Sequence, residues 1–135
     1  MAQAFAAREL ERRLAVDVQV MSAGTATISG LPASEKAVAA MAEAGMDLRL
    51  HRTTVLDKKL VEEADLVLTM TAGHRREVLR LCPEASARVF VLSEYAGLKG
   101  DVVDPYGGGL DAYRRAADQI ETLVALAVDR LLANG

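Results

Sequence analysis

The chain has a single cysteine, Cys82, among 135 residues. One thiol cannot form an internal disulfide, and a metal site built from several thiolates is excluded. That fits a reducing compartment, and the cytoplasm is the expected location. Histidine is nearly as scarce: His51 and His74 stand far apart, which reads against a metal site. Neither a metal nor a cofactor is expected. Clustered positive charge is lacking too. Sixteen Lys and Arg face 19 Asp and Glu, for a net charge of -3. The basic residues are scattered or paired, as in Arg12-Arg13, Arg75-Arg76 and Arg114-Arg115. Such pairs read as wet helix faces. Nucleic acid, which is gripped by grouped Lys and Arg, is therefore not an expected partner. No run is long and apolar enough to cross a bilayer, so no membrane is expected either. The first ten residues carry charges where a signal peptide would need an apolar core. Repeats, linkers and low-complexity segments are absent from the pattern.

What is present suits one globular α/β domain over residues 1–135. Hydrophobic residues make up 51% of the chain and charged residues 26%, enough apolar side chain for a real core. Ala2, Phe5, Ala6, Leu10 and Leu14 recur at helical spacing from almost the first residue. Val16, Val18 and Val20 alternate with Asp17 and Gln19, which predicts a strand ended by Ser22-Ala23-Gly24. Ser34 caps a predicted helix through Ala44, and Gly45 suits a left-handed residue after it. Residues 47–54 are mixed, with room for an edge strand. Asp57 caps a helix through Glu63, and Thr71 one through about Leu81, stopped by Pro83. Residues 64–70 and 89–92 read as buried strands. A long final helix from Leu110 to about Leu132 has an apolar stripe that includes Tyr113, Ile120 and Val124. Such alternation predicts a parallel sheet with helices on both faces. Ligands of such sheets bind at the carboxyl ends of the strands. Ser22, Met70-Thr71 and the loop at residues 99–109 should share that rim.

That loop reads Lys99-Gly100-Asp101-Val102-Val103-Asp104-Pro105-Tyr106-Gly107-Gly108-Gly109. Pro105 fixes its own φ and biases Asp104 towards extended backbone. Asp104 is then a carboxylate on a stiff turn just past a strand, a good mount for a general acid. A solvated turn before the last helix would use the same residues. The residues alone leave both readings open.

Five segments in order resemble the low-molecular-weight protein-tyrosine-phosphatases, in their bacterial branch. They are Ser22-Ala23-Gly24, His51-Arg52-Thr53, the run from Ala64 to Thr71, the run from Val89 to Tyr95, and Asp101 to Gly108. Together they cover nearly the whole chain. The resemblance implies a three-layer α/β/α fold with a small parallel sheet, phosphatase-I-like. It implies hydrolysis of phosphate monoesters through a cysteinyl-phosphate, on phosphotyrosine or phosphoarginine of a protein or on a small phosphate ester. Asp104 then becomes the general acid and base. Tyr106 lines the entrance and packs on an aromatic substrate. Ser22 and His51 support the family's phosphate loop.

The family's nucleophile and phosphate-gripping arginine lie on a Cys-x5-Arg loop that follows the first strand and leads into a helix start like Met1-Ala2-Gln3-Ala4. In this chain that strand and loop are expected to be missing. Cys82 is not expected to replace the nucleophile, since it precedes Pro83 at a helix end in a stretch the family uses for packing. The family's strand order is two-one-three-four, so the absent strand would be central. Its neighbours would then stand roughly 9.6 Å apart, twice the usual spacing. The lost burial would be on the order of 10 kcal/mol against a total stability of about 5–15 kcal/mol. Three outcomes are expected to compete: a coding start placed too late, which is favoured; a non-catalytic binding or partner-dependent fragment; or a sheet closed without its middle strand or with an intermolecular one, whose exposed edge would drive self-association.

Overall fold

The computed structural model describes residues 1–15, 17–25 and 27–134. Its centre is a parallel pair, β1 (Val67–Thr69) and β2 (Val89–Val91), with Val67 opposite Val89 and Leu68 opposite Phe90. Parallel strands need a crossover. Here it is a helix, α4 (Ala72–Leu81), followed by a 3-10 turn over Pro83–Arg88. Thr71 begins α4 by accepting the His74 N–H on its side-chain oxygen at 3.0 Å. Pro83 ends it, because a proline nitrogen has no hydrogen to continue the ladder.

Side chains alternate across the pair and separate two apolar clusters. Val67 and Val89 face a small one with Val61, Val78, Cys82 and Ala85. Leu68 and Phe90 face the larger one, built on α1 (Ala2–Arg12), α2 (Glu35–Glu43) and α6 (Leu110–Asn134). The result is the expected three-layer α/β/α arrangement. The α6 stripe supplies Ala117, Ile120, Leu123, Val124, Ala127 and Val128 to the core. Helix caps follow local chemistry. Ser34 accepts from the Ala37 N–H at 3.2 Å. Asp57 accepts from the Leu60 N–H at 2.8 Å at the start of α3 (Lys58–Glu63).

Four expectations change. Residues 64–70, expected as one buried strand, are strand only over Val67–Thr69, with Val67 and Leu68 half-buried, because β2 offers just three residues to pair with. Residues 17–23 form no strand, and Val16 of the expected strand lies outside the described residues. Alternation supplies a strand face, but a strand also needs a neighbouring backbone. Instead the Val18 N–H turns back to the Ala15 carbonyl at 3.4 Å. Among the described residues β1 therefore has one strand neighbour, β2. The edge strand near 47–54 reduces to single bridges, Gly24 with Val55 and Pro32 with Arg52. Leu92 leaves the sheet to open a short helix, α5 (Leu92–Tyr95), where it is buried against the larger cluster. A short apolar run reads alike for either state.

The end of α1 carries a local conflict. The Ala15 N–H bonds the Leu10 carbonyl at 2.9 Å and the Leu14 N–H bonds that of Glu11 at 3.1 Å. This places Leu14 in the left-handed position, φ 57°, that glycine fills best. Its side chain is 82% exposed, so little packing is lost on removing it. Leu14→Gly should therefore stabilise the chain by about 0.5–1 kcal/mol, the left-handed cost of roughly 1–2 kcal/mol less the entropy a glycine adds to the unfolded chain. A urea midpoint that falls instead would refute it.

Candidate active site

The loop expected to carry the acid is fastened to the carboxyl end of β1. Ser93, itself buried, donates its hydroxyl to the Gly100 carbonyl. The Ala72 N–H, in the first turn of α4, donates to the Asp101 carboxylate at 2.9 Å. The Val102 N–H donates to the Met70 carbonyl at 2.8 Å, and the Val102 side chain is buried in the larger core. Beyond these ties the chain turns outward. Asp104 is exposed and accepts the Tyr106 N–H on its own carboxylate at 3.0 Å. That bond makes a tight turn around Pro105 and presents the second carboxylate oxygen to solvent. Tyr106 is 85% exposed, with its ring free to meet a ligand.

The glycines that follow have separate tasks. Gly107 has φ 82°. A Cβ at Gly108 would stand 2.8 Å from Ala112 Cβ and 3.0 Å from the Pro105 carbonyl oxygen. Only a residue without a side chain lets the turn close on the start of α6. Lys36, in the first turn of α2, donates from Nζ to the Gly108 carbonyl at 2.8 Å.

Ser22 and His51 gather elsewhere, at the first turn of α1. Ser22 donates its hydroxyl to Gln3 Oε1 at 2.6 Å, and Gln3 Nε2 donates to the Val20 carbonyl at 3.4 Å. His51 is half-buried. Burial, then the positive Met1 amino group and Arg52, hold its pKa below the ordinary histidine value, which favours the neutral ring at pH 7. Thus the structure joins Met70-Thr71 to the Asp104 loop, and Ser22 and His51 to the start of α1. No hydrogen bond joins the two groups among the described residues. Asp101 and Lys36 carried no sequence signal for a role, because each meets its partner across 29 and 72 residues of chain.

Arg88 stands six residues after Cys82, at the Cys-x5-Arg offset, so spacing alone does not exclude this cysteine. The surroundings do. Cys82 is fully buried, and burial and the Glu84 carboxyl push its thiol pKa up. Ligand atoms of Glu62, Cys82 and Glu84 lie within 4.8 Å of one another, an environment that repels anions. Lys58 Nζ sits 3.7 and 3.8 Å from the two carboxylates and offsets their charge. Arg88 gives its guanidinium to the carbonyls of Ala64 and Val61, at 3.0 and 3.2 Å. A phosphate cradle needs a lowered thiol and free N–H donors. We expect iodoacetamide to alkylate Cys82 about 100-fold more slowly in the folded chain than in urea, since reaction waits on opening of the core. Equal rates would mean that the thiol is open.

Two surface clefts lie away from the Asp104 turn. One, of about 310 Å³, is lined by Thr25, Leu56, Glu77, Arg80 and Leu81. The other, of about 230 Å³, lies between α2 and α6. No helix of the described residues is long and apolar enough to cross a membrane.

Comparison with known proteins agrees with this geometry. The family model for low molecular weight phosphotyrosine protein phosphatase matches residues 1–134. A protein-arginine-phosphatase of Geobacillus stearothermophilus is 36% identical over 128 residues, 94% of this chain and 86% of that protein. A probable low molecular weight protein-tyrosine-phosphatase, EpsP, of Ralstonia nicotianae is 36% identical over 129 residues, 96% of this chain and 88% of that one. Among solved structures, a YwlE arginine phosphatase variant with a phosphorylated active-site serine superposes with a TM-score of 0.90 at 35% identity, covering 97% of this chain and 86% of that one. With the α/β/α layers and the Asp104-Pro105 turn in place, the chain belongs to the low molecular weight phosphotyrosine protein phosphatase family.

Proposed function

We propose that this chain supplies the proton-transfer part of a phosphate monoesterase that acts on phosphorylated protein, either phosphotyrosine or phosphoarginine. The observation that carries the reading is the Asp104 carboxylate on a proline turn fastened to the end of β1 by the Val102–Met70 bond. In such a reaction a thiolate attacks phosphorus and the bond to the leaving atom breaks. Asp104 gives its proton to that atom. It then takes a proton from water as the water oxygen attacks the cysteinyl-phosphate, so that the S–P bond breaks and inorganic phosphate leaves with the thiolate restored. Tyr106 stands at the entrance, where its ring can pack on an aromatic substrate. Ser22 and His51, gathered at the first turn of α1, lie where a loop running into that helix would need polar support.

Cys82 is not placed to be the thiolate. These 135 residues alone should therefore hydrolyse no p-nitrophenyl phosphate above background. The same chain joined to an upstream strand and a Cys-x5-Arg loop should turn it over at an ordinary enzymatic rate, about 1–10³ s⁻¹. A second reading, a partner-dependent or binding fragment, is favoured by the single strand neighbour of β1 among the described residues, which leaves its other edge as the place to receive a strand from a partner or a second copy. The joined chain separates the two. Turnover supports the enzyme, and continued silence in a folded joined chain supports the fragment.

A further inference from the structure

We propose that Asp101 and Lys36 are positioning residues for Asp104, holding the acid turn from its two ends. This rests on the reading of Asp104 as the proton donor. Among the described residues, four hydrogen bonds tie residues 100–108 to the rest of the chain. One is backbone to backbone, Val102 to Met70, and one comes from the buried Ser93. The other two come from exposed side chains. Asp101 holds the Ala72 N–H at the start of α4, and Lys36 holds the Gly108 carbonyl. The bond that Asp104 itself accepts is internal to the turn and fixes nothing to the scaffold.

The position of Lys36 is locally unfavourable. It is the second residue of α2, where the positive end of the helix disfavours a cation. A rule broken locally points to a use elsewhere. Asp101 follows the opposite logic. The Ala72 N–H is one of the orphan donors of α4, and a carboxylate is its best partner. Between Val102 and α6 stand Pro105 and three glycines, a segment with little packing of its own. Asp101 lies three residues before Asp104, and Gly108 four residues after it. A donor displaced by about 1 Å loses on the order of 100-fold in rate, so ties of small energetic weight have large leverage here.

The first test uses the 135-residue chain and needs no turnover. Asp101→Ala and Lys36→Met should each speed amide exchange at Tyr106 and Gly107 about tenfold, with α6 core amides unchanged. The second uses the joined chain with phenyl phosphate, whose leaving group needs a proton, and p-nitrophenyl phosphate, whose leaving group needs it far less. Each variant should lower kcat on the first by about 10- to 100-fold and on the second by a smaller factor, the share carried by the water-activating step alone, with KM unchanged. In an Asp104→Asn background neither should cost anything further, because the group they place is gone. A uniform loss on both esters, or undiminished loss in that background, overturns the positioning role. Should Asp104→Asn itself leave phenyl phosphate turnover intact, the acid reading fails, while the exchange result still decides whether the two side chains hold the turn.

Discussion

Asp104→Asn lowers kcat of the joined chain on phenyl phosphate about 10²–10⁴-fold, the usual contribution of a placed general acid, and leaves KM nearly unchanged. Asparagine is the informative substitute. It keeps an oxygen at the position that accepts the Tyr106 N–H, so the turn around Pro105 survives. What it loses is the carboxyl group's ability to give and take a proton. Both chemical steps should suffer, since in the proposed mechanism the same carboxylate protonates the leaving oxygen and later activates water. On p-nitrophenyl phosphate the first step is partly spared, and the remaining loss reports the second. Steady-state rates on the two esters, with thermal melts to show equal folding, make the measurement. Equal kcat on phenyl phosphate for parent and variant would remove Asp104 from the mechanism.

Phe5→Ala should cost about 3–5 kcal/mol, the range for emptying a buried aromatic site. Against a total of about 5–15 kcal/mol this is among the largest single losses open to the chain. Phe5 is 1% exposed and belongs to the cluster shared by α1, α2 and α6. Its ring also carries the Arg8 guanidinium, 5.2 Å from the centroid, while Arg8 reaches Glu121 on α6. Arg8 Nε is buried without a hydrogen-bond partner, so the ring beside it offsets part of that burial. Removing the ring thus loosens the α1–α6 contact twice. Phe5→Leu refills most of the volume and should cost less than about 1.5 kcal/mol. Urea titration of both variants checks this. A loss under about 1 kcal/mol for the alanine would mean that α1 does not depend on this contact.

The caps and the layers were legible because their causes are local. Ser34, Asp57 and Thr71 each satisfy an N–H three residues on, and the spacing can be read from the string. Val67 and Leu68 face opposite layers for the same reason, since adjacent residues of a strand alternate. Residues 17–23 misled because a strand is a property of two segments, and alternation describes only one. Leu92 misled because its burial is against α6 rather than within the sheet. The exposed turn that carries Asp104 and Tyr106 could be read from the Asp-Pro pair. Asp101 and Lys36 could not, since their partners lie on α4 and in the glycine run, set only by the fold. Arg88 shows how spacing alone can deceive. Its spacing from Cys82 fits a phosphate loop, yet its donors are already engaged by Ala64 and Val61.

The close fit at Gly108 has a thermal consequence. There is no room for a methyl group between the Pro105 carbonyl and Ala112, so the turn packs directly on the opening of α6 and should follow it when it loosens. Helix ends fray well before cores melt. Warming should therefore dislodge the Asp104 turn while the tertiary structure is still intact, so that in the joined chain loss of catalysis on heating precedes, and is milder to reverse than, loss of the fold.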